Sequence, residues 1–181
     1  MKMIAKMTGQ QYRAAYECRA NKDVRYYLNG IHINTEHDEV VTTNGHIMYV
    51  AKIEMIDESV HTDFIFEGVK ILASVTEVEV HEYDSESILL ITIDRNFNKV
   101  QHVCKLIDGR FPAYKEVINS NGKNERKPYT EFSFDATYVN IIQKVFGKVP
   151  VHFDSPNNNS AFRVSVGDTT KGLMIMMPCK V

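Results

Sequence analysis

The stretch DGRFPAY, residues 108–114, divides two segments that read as copies of one another: TDFIFE at 62–67 before it and TEFSFD at 130–135 after it. Each copy reads as a short strand running into a helical pattern. Between them, Asp108 and Gly109 turn the chain, and Pro112 fixes φ and lacks an N–H, so the stretch is neither helix interior nor central strand. Phe111 and Tyr114 are large enough to anchor it on whatever lies beneath. By its own residues it is a bridging surface loop with two anchors.

Working outward, the chain repeats a strand–helix–strand–strand–strand unit three times. In the first, a strand over 1–7 leads to Thr8 as N-cap, with Gln11 completing a capping box. Tyr12, Ala15 and Tyr16 form a buried helical stripe, and strands follow over 25–34, 39–43 and 46–53, the last two joined by the hairpin pair Asn44 and Gly45. In the second, a strand over 62–66 precedes a helix carrying Val69, Leu72 and Ala73, then strands over 77–82, 87–95 and 99–106. In the third, a strand over 129–134 meets Asp135 as N-cap; Tyr138, Ile141, Ile142, Val145 and Phe146 make the helical stripe, and Gly147 ends it. Strands over 149–154, 161–166 and 173–179 complete that unit, and residues 119–128, NSNGKNERKP, form the linker before it.

One such unit cannot bury both its sheet and its helix, so copies pair or stack. The expected class is α+β, with helices on one face and antiparallel sheets on the other. With three copies, one is left over after pairing.

Composition narrows the function. The chain has 181 residues, 44% hydrophobic and 24% charged, ordinary for a soluble globular protein with a real core. No apolar run approaches a membrane span, and Met1, Lys2 and Met3 open no signal peptide, giving a cytoplasmic expectation with no membrane partner. Cys18, Cys104 and Cys179 are odd in number and far apart, which points to reduced thiols without zinc spacing. A net charge of −2 means that contact with nucleic acid needs a local basic face. The seven histidines form no helical ligand pair; His32 and His37 flank a turn. No phosphate loop or nucleophile elbow is present, and Cys104 and Cys179 read as small strand hydrophobes. Neither catalysis nor a cofactor is expected.

Four segments, in order, carry a resemblance: KDVRYYLNG at 22–30, TNGH at 43–46, DGRFPAY at 108–114 and MPCKV at 177–181. They resemble the bacterial replicative sliding clamp, the beta subunit of DNA polymerase III. Residues 1–118 resemble its complete middle domain, two units long; 119–128 is the linker; 129–181 resembles the second half of its last domain. About half of a normal clamp is covered.

The resemblance implies a DNA-clamp fold of three βαβββ units and a processivity factor whose ring surrounds double-stranded DNA, helices inside. Such rings close on twelve units, so three per chain implies a homotetramer. The implied DNA contacts are Arg13, Arg19 and Lys22 with Tyr26 and Tyr27, then Lys70 on the second helix and Lys144 and Lys148 on the third. The residues alone are equally compatible with solvated helix faces, Arg13 and Glu17 making an ordinary surface pair. The resemblance also implies a groove for peptides of the DNA polymerase and other clamp-motif proteins, with a clamp loader as a further partner. Its lining would be Leu28, Thr43, Gly45, His46, Ile47, Met48, Ile175, Met177, Pro178, Cys179, Lys180 and Val181. Asn44, Ile47 and Cys179 depart from the family pattern, changing rim charge and groove volume. A second reading keeps the groove without the ring: a clamp mimic competing for those partners.

Overall fold

The computed structural model describes residues 2–120, 133–155 and 160–179. In chain order the elements are β1 (Met3–Thr8), α1 (Gly9–Cys18), β2 (Gly30–Asn34), β3 (Glu39–Thr43), β4 (Ile47–Lys52), β5 (Glu54–Met55), β6 (Phe64–Glu67), β7 (Val75–Glu82), β8 (Ser87–Asp94), β9 (Lys99–Lys105), α2 (Tyr114–Ser120), α3 (Thr137–Phe146), β10 (His152–Asp154), β11 (Phe162–Ser165) and β12 (Leu173–Met176). Two antiparallel sheets result, in the orders β5-β1-β7-β8-β9 and β10-β11-β12-β4-β3-β2-β6.

The first two units exchange their leading strands. β1 pairs with β7 of the second unit, Met7 opposite Val78, and β6 pairs with β2 of the first, Phe66 opposite Ile31. Strand alternation sends Ala5, Met7, Val78, Val80 and Leu90 from one sheet, and Ile31, Val40, Ile47 and Tyr49 from the other, into one core beneath α1.

The sequence starts α1 as expected. Gln11 N donates to Thr8 Oγ1 at 3.1 Å, and Thr8 N donates to Gln11 Oε1 at 2.9 Å, closing the capping box. Tyr12, Ala14, Ala15 and Cys18 are fully buried beneath the helix; a large apolar side chain so placed contributes about 1.5–3 kcal/mol. Gln11 also fastens the helix outward, its Nε2 donating to the carbonyls of Lys52 (2.8 Å) and Thr170 (3.0 Å).

The third unit docks on the first. β12 pairs with β4, Ile175 opposite Met48 and Met174 opposite Tyr49, so the seven-stranded sheet runs through the junction. On the core face α3 lies beside α1, burying Ile142, Val145 and Phe146. Gln10 Nε2 donates to the Val145 carbonyl at 3.1 Å, Lys144 pairs with Glu17 at 2.8 Å, and the Tyr49 hydroxyl donates to the Lys171 carbonyl at 2.8 Å. Asp135 accepts from Thr137 N at 2.8 Å, but the cap of α3 is Ala136 rather than the expected Asp135, and Gly147 (φ 83°) ends the helix.

Four further expectations are corrected. The helix on Val69, Leu72 and Ala73 does not form; residues 68–74 run as a non-helical strap. Gly68 and the β-branched Val69 and Ile71 are weak helix formers, and seven residues give at most two turns. The Tyr12 hydroxyl holds the strap as a strand neighbour would, accepting from Val69 N (2.9 Å) and donating to Val69 O (3.1 Å). Second, residues 26–29 of the expected strand 25–34 form a 3-10 turn. Third, the stretch after Pro112 is α2, which includes residues 119 and 120 of the expected linker; 121–128 lie outside the described residues. Fourth, residues 133–134 are not in a strand, and 129–132 of that expected strand lie outside the described residues.

Candidate functional site

Two surfaces gather the residues singled out by the sequence. On the face carrying α1 and α3, Arg13, Lys70 and Lys144 line one shallow recess with Tyr16, Glu17, Ile71 and Ala73. Lys70 reaches it from the strap, not from a helix. Much of the charge there is already engaged. Arg13 Nη1 donates to the carbonyls of Val75 (2.9 Å) and Leu72 (3.2 Å), and partial burial, with Arg95 adding to it, lowers its basicity. Glu17 is paired with Lys144, not with Arg13 as i,i+4 spacing suggests.

Arg19 stacks on the Tyr16 ring at 4.0 Å and donates from Nη1 to the Ala20 carbonyl at 2.8 Å. Lys22 and Lys148 are exposed. Tyr26 and Tyr27 meet edge to face at 5.8 Å and lie against Gly109, where an added Cβ would sit 3.0 Å from the Cβ of Tyr27. The structure therefore groups these tyrosines with the 108–114 loop rather than with the recess.

The second surface is the opposite, outer face of the seven-stranded sheet. Thr43, Met48 and Ile175 stand opposite one another across β3, β4 and β12. Thr43 Oγ1 shapes the turn that follows, donating to the Ile47 carbonyl (2.7 Å) and accepting from Gly45 N (3.0 Å). Gly45 adopts φ 91°, with the Arg25 guanidinium 3.1 Å from where a Cβ would be. The tail is held in place: Met177 N donates to the His46 carbonyl at 2.9 Å, Cys179 N donates to the Ser133 carbonyl at 2.8 Å, and Ser133 Oγ donates back to Cys179 O at 2.8 Å. Pro178 is half-buried, whereas His46, Met177 and Cys179 are exposed. Leu28 and Ile47 are core residues, Ile47 on the inner face with α1. Lys180 and Val181 lie outside the described residues.

One wall of this surface comes from the two expected anchors, Phe111 and Tyr114, and from the helix after them, which the sequence reading does not contain. Phe111, Tyr114 and Ile118 pack over Val41, Met48, Val50 and Ile175, so α2 covers part of the outer face. Their spacing of i, i+3 and i+7 is the helical signal that the preceding Pro112 obscured. Tyr114 is anchored on a buried carboxylate, donating to Glu39 Oε2 at 2.7 Å while Lys115 pairs with the same group at 2.8 Å. Burial pushes the Glu39 carboxyl up, but Lys115 and Tyr114 outweigh it, and the net direction is downward.

Beneath the loop, His32 stacks on Phe111 (4.4 Å, 7°) and sits 3.3 Å from Asp63 Oδ2. Burial lowers its pKa even though Asp63 opposes the shift. The fold thus favours neutral His32, while the unfolded chain takes up its proton near pH ~6.5. Stability is full above that pH and falls as acid is added below it. Protection factors of amides in residues 108–118, taken relative to the intrinsic exchange rate at each pH, should fall between neutral and mildly acidic pH, and His32→Gln should flatten that dependence. An equally steep profile in the variant would remove His32 as its source.

A family model for the central domain of the DNA polymerase III beta subunit matches residues 11–113, more than half of the chain. The chain belongs to the DNA polymerase III beta subunit family. Named relatives agree. A beta sliding clamp of Proteus mirabilis is 34% identical over 110 residues, covering 56% of this chain and 29% of that protein, and the Escherichia coli K12 clamp gives the same figures. The chain therefore matches under a third of these relatives' length. Among solved structures, the Pseudomonas aeruginosa DNA polymerase sliding clamp superposes with a TM-score of 0.69 at 16% identity, covering 100% of this chain and 68% of that one. The Bacillus subtilis clamp gives 0.67 at 13%, covering 99% and 64%. These likenesses establish the clamp fold for this chain. Sliding clamps are processivity factors rather than enzymes. Among the described residues no helix is long and apolar enough to cross a membrane, and no His, Cys, Asp and Glu side chains group to hold a metal.

Proposed function

We propose that this beta-subunit chain acts in replication as a sliding-clamp-like processivity factor: copies assemble into a ring around duplex DNA, α1 and α3 facing the hole, while the outer row at Thr43, Met48 and Ile175 and the tail at Met177 receive peptides of a DNA polymerase and other partners. Three units per chain make the assembly a homotetramer, opened by a clamp loader. The observation carrying this reading is the β4–β12 junction. It joins two units edge to edge with both sheets continuous outside and both helices together inside, the arrangement a ring would propagate. Contact with DNA would be loose and electrostatic, through Arg13, Arg19, Lys22, Lys70, Lys144 and Lys148, with Tyr26 and Tyr27 at the loop edge.

Retention on circular against linear duplex DNA, with a clamp loader, tests encirclement. The expected result is retention on circles and loss from linear ends, weakening as salt rises. Binding of a clamp-motif peptide tests the groove separately. Met177→Ala, or removal of residues 177–181, should weaken it by about tenfold or more with the fold intact. Unchanged affinity in both variants would withdraw the groove. The engagement of Arg13 and Lys144 within the chain, and a net charge of −2, favour a second reading in which the chain competes for clamp partners without a ring. Peptide binding without topological retention would select it.

A further inference from the structure

The outer-face row of Thr43, Met48 and Ile175 continues into the third unit. Opposite Ile175 in β11 stands Arg163, and opposite Arg163 in β10 stands Asp154. Residues opposed across antiparallel strands share a face, so the apolar part of the row ends on a guanidinium. Arg163 is half-buried, and among the described residues its guanidinium makes no ion pair, not even with Asp154. It also lines a recess between α2 and the β10–β11 hairpin, with Val50, Ile118 and Leu173 as apolar surface and Lys52 and Lys115 as further cations. The recess has two carboxylates of its own, Glu39 and Asp154. Glu39 is buried and already taken, accepting from Tyr114, pairing with Lys115 at 2.8 Å and lying 3.4 Å from Lys52. Both lysines still reach solvent, Lys115 being 36% and Lys52 71% exposed. Three cations against two carboxylates leave the recess positive, in a chain whose net charge is −2.

We propose that the recess at Arg163 is a second anchor for partner peptides, taking the carboxylate of an aspartate or glutamate that flanks their apolar residues. The inference rests on the peptide reading given above and adds the chemistry of the partner to it. Two features name the occupant. The first is charge: a half-buried guanidinium with its donors unspent holds a carboxylate by two parallel hydrogen bonds, and Lys52 and Lys115 add to the local field. The second is continuity. Arg163 is one strand beyond Ile175, about 4.8 Å away, and Val50 opposite Leu173 is the next outward pair after Met48 opposite Ile175. An acidic residue one or two positions from the last apolar side chain of the peptide therefore spans the distance, since an extended chain advances about 3.4 Å per residue. A nucleic-acid strand fits less well. Two of the three cations are tied to Glu39, the recess is partly apolar, and it lies on the sheet face away from α1 and α3.

Three clamp-motif peptides, identical except for a flanking pair of aspartates, asparagines or lysines, test the anchor by fluorescence anisotropy on the full chain. Each pair is placed before the motif in one set and after it in another. In at least one set the aspartate peptide should bind about three- to tenfold more tightly than the asparagine peptide, with the margin shrinking as salt rises. Arg163→Gln should erase that margin and leave the asparagine peptide unaffected. Arg163→Glu should turn the preference toward lysine, a gain that a misfolded chain could not produce. Equal affinities for the three peptides, or a preference for aspartate that survives both substitutions, would overturn the inference and leave the groove standing. Failure of every peptide to bind would remove the groove and the anchor together. A short oligodeoxynucleotide that abolishes the aspartate margin by competing at Arg163 would make the recess a phosphate site, and the proposal would fall.

Discussion

Replacing Phe66 with alanine should lower the folding free energy by about 3–5 kcal/mol, the range for deleting a fully buried aromatic ring. Phe66 is 0% exposed, in a strand of four residues. Those few residues are the second unit's whole contribution to the seven-stranded sheet. On one side Phe66 stands opposite Ile31; on the other it bridges to Leu106, and the Ile65 carbonyl accepts from Ile107 N at 2.8 Å. The ring therefore lies where the two sheets are tied together, and its loss leaves a cavity that neither sheet can close alone. Urea unfolding should show the midpoint falling with the slope little changed. Val103→Ala on the exposed β9 should stay within about 0.5 kcal/mol by the same measure. A loss below about 1 kcal/mol for Phe66→Ala would show that the sheets are joined elsewhere.

The second large effect should follow from Gly172→Val. Gly172 adopts φ 82°, and a Cβ there would sit 2.6 Å from the Val50 carbonyl oxygen and 2.8 Å from the Ala51 Cβ. A side chain in the left-handed region costs about 1–2 kcal/mol, and the clash with backbone adds about 1–3 kcal/mol. The damage should be local in a telling way. Leu173, the next residue, is the first of β12 to pair with β4, opposite Val50. Hydrogen exchange should accelerate through β10, β11 and β12 while β7 and β8 keep their protection. Peptide binding should fall with it, because Ile175 and Met177 belong to the displaced strand and tail. Uniform loss of protection over both sheets would mean that the third unit is not a separable body.

How far the sequence revealed all this depended on the kind of signal. Thr8 with Gln11 marks the start of α1 and Gly147 the end of α3 through local chemistry, and both ends form there, whereas the cap of α3 falls on Ala136, one residue past the expected Asp135. Asn44 and Gly45 likewise set a hairpin that is present. The strap at 68–74 was not legible, because its shape is imposed from outside: Tyr12 and Arg13, far back in the chain, take the carbonyls a helix would have used. The run from Phe111 to Ile118 carried a helical period, but Pro112 and the preceding glycine masked it. In the proposed groove, Met48 and Ile175 are brought together by β4–β12 pairing, a tertiary fact that periodicity could not give. Arg13 lies on α1, and its engagement by two backbone carbonyls has no sequence signature.

The exchange of β1 and β6 has an evolutionary side. With each of the first two units threaded through the other's sheet, no cut between residues 3 and 67 yields a part able to stand by itself. Among the described residues the third unit is threaded through neither; it joins the first through the β4 margin and the helix alongside. Genes of this design can thus gain or shed whole modules at that margin by simple recombination, whereas the interlaced pair must be inherited intact.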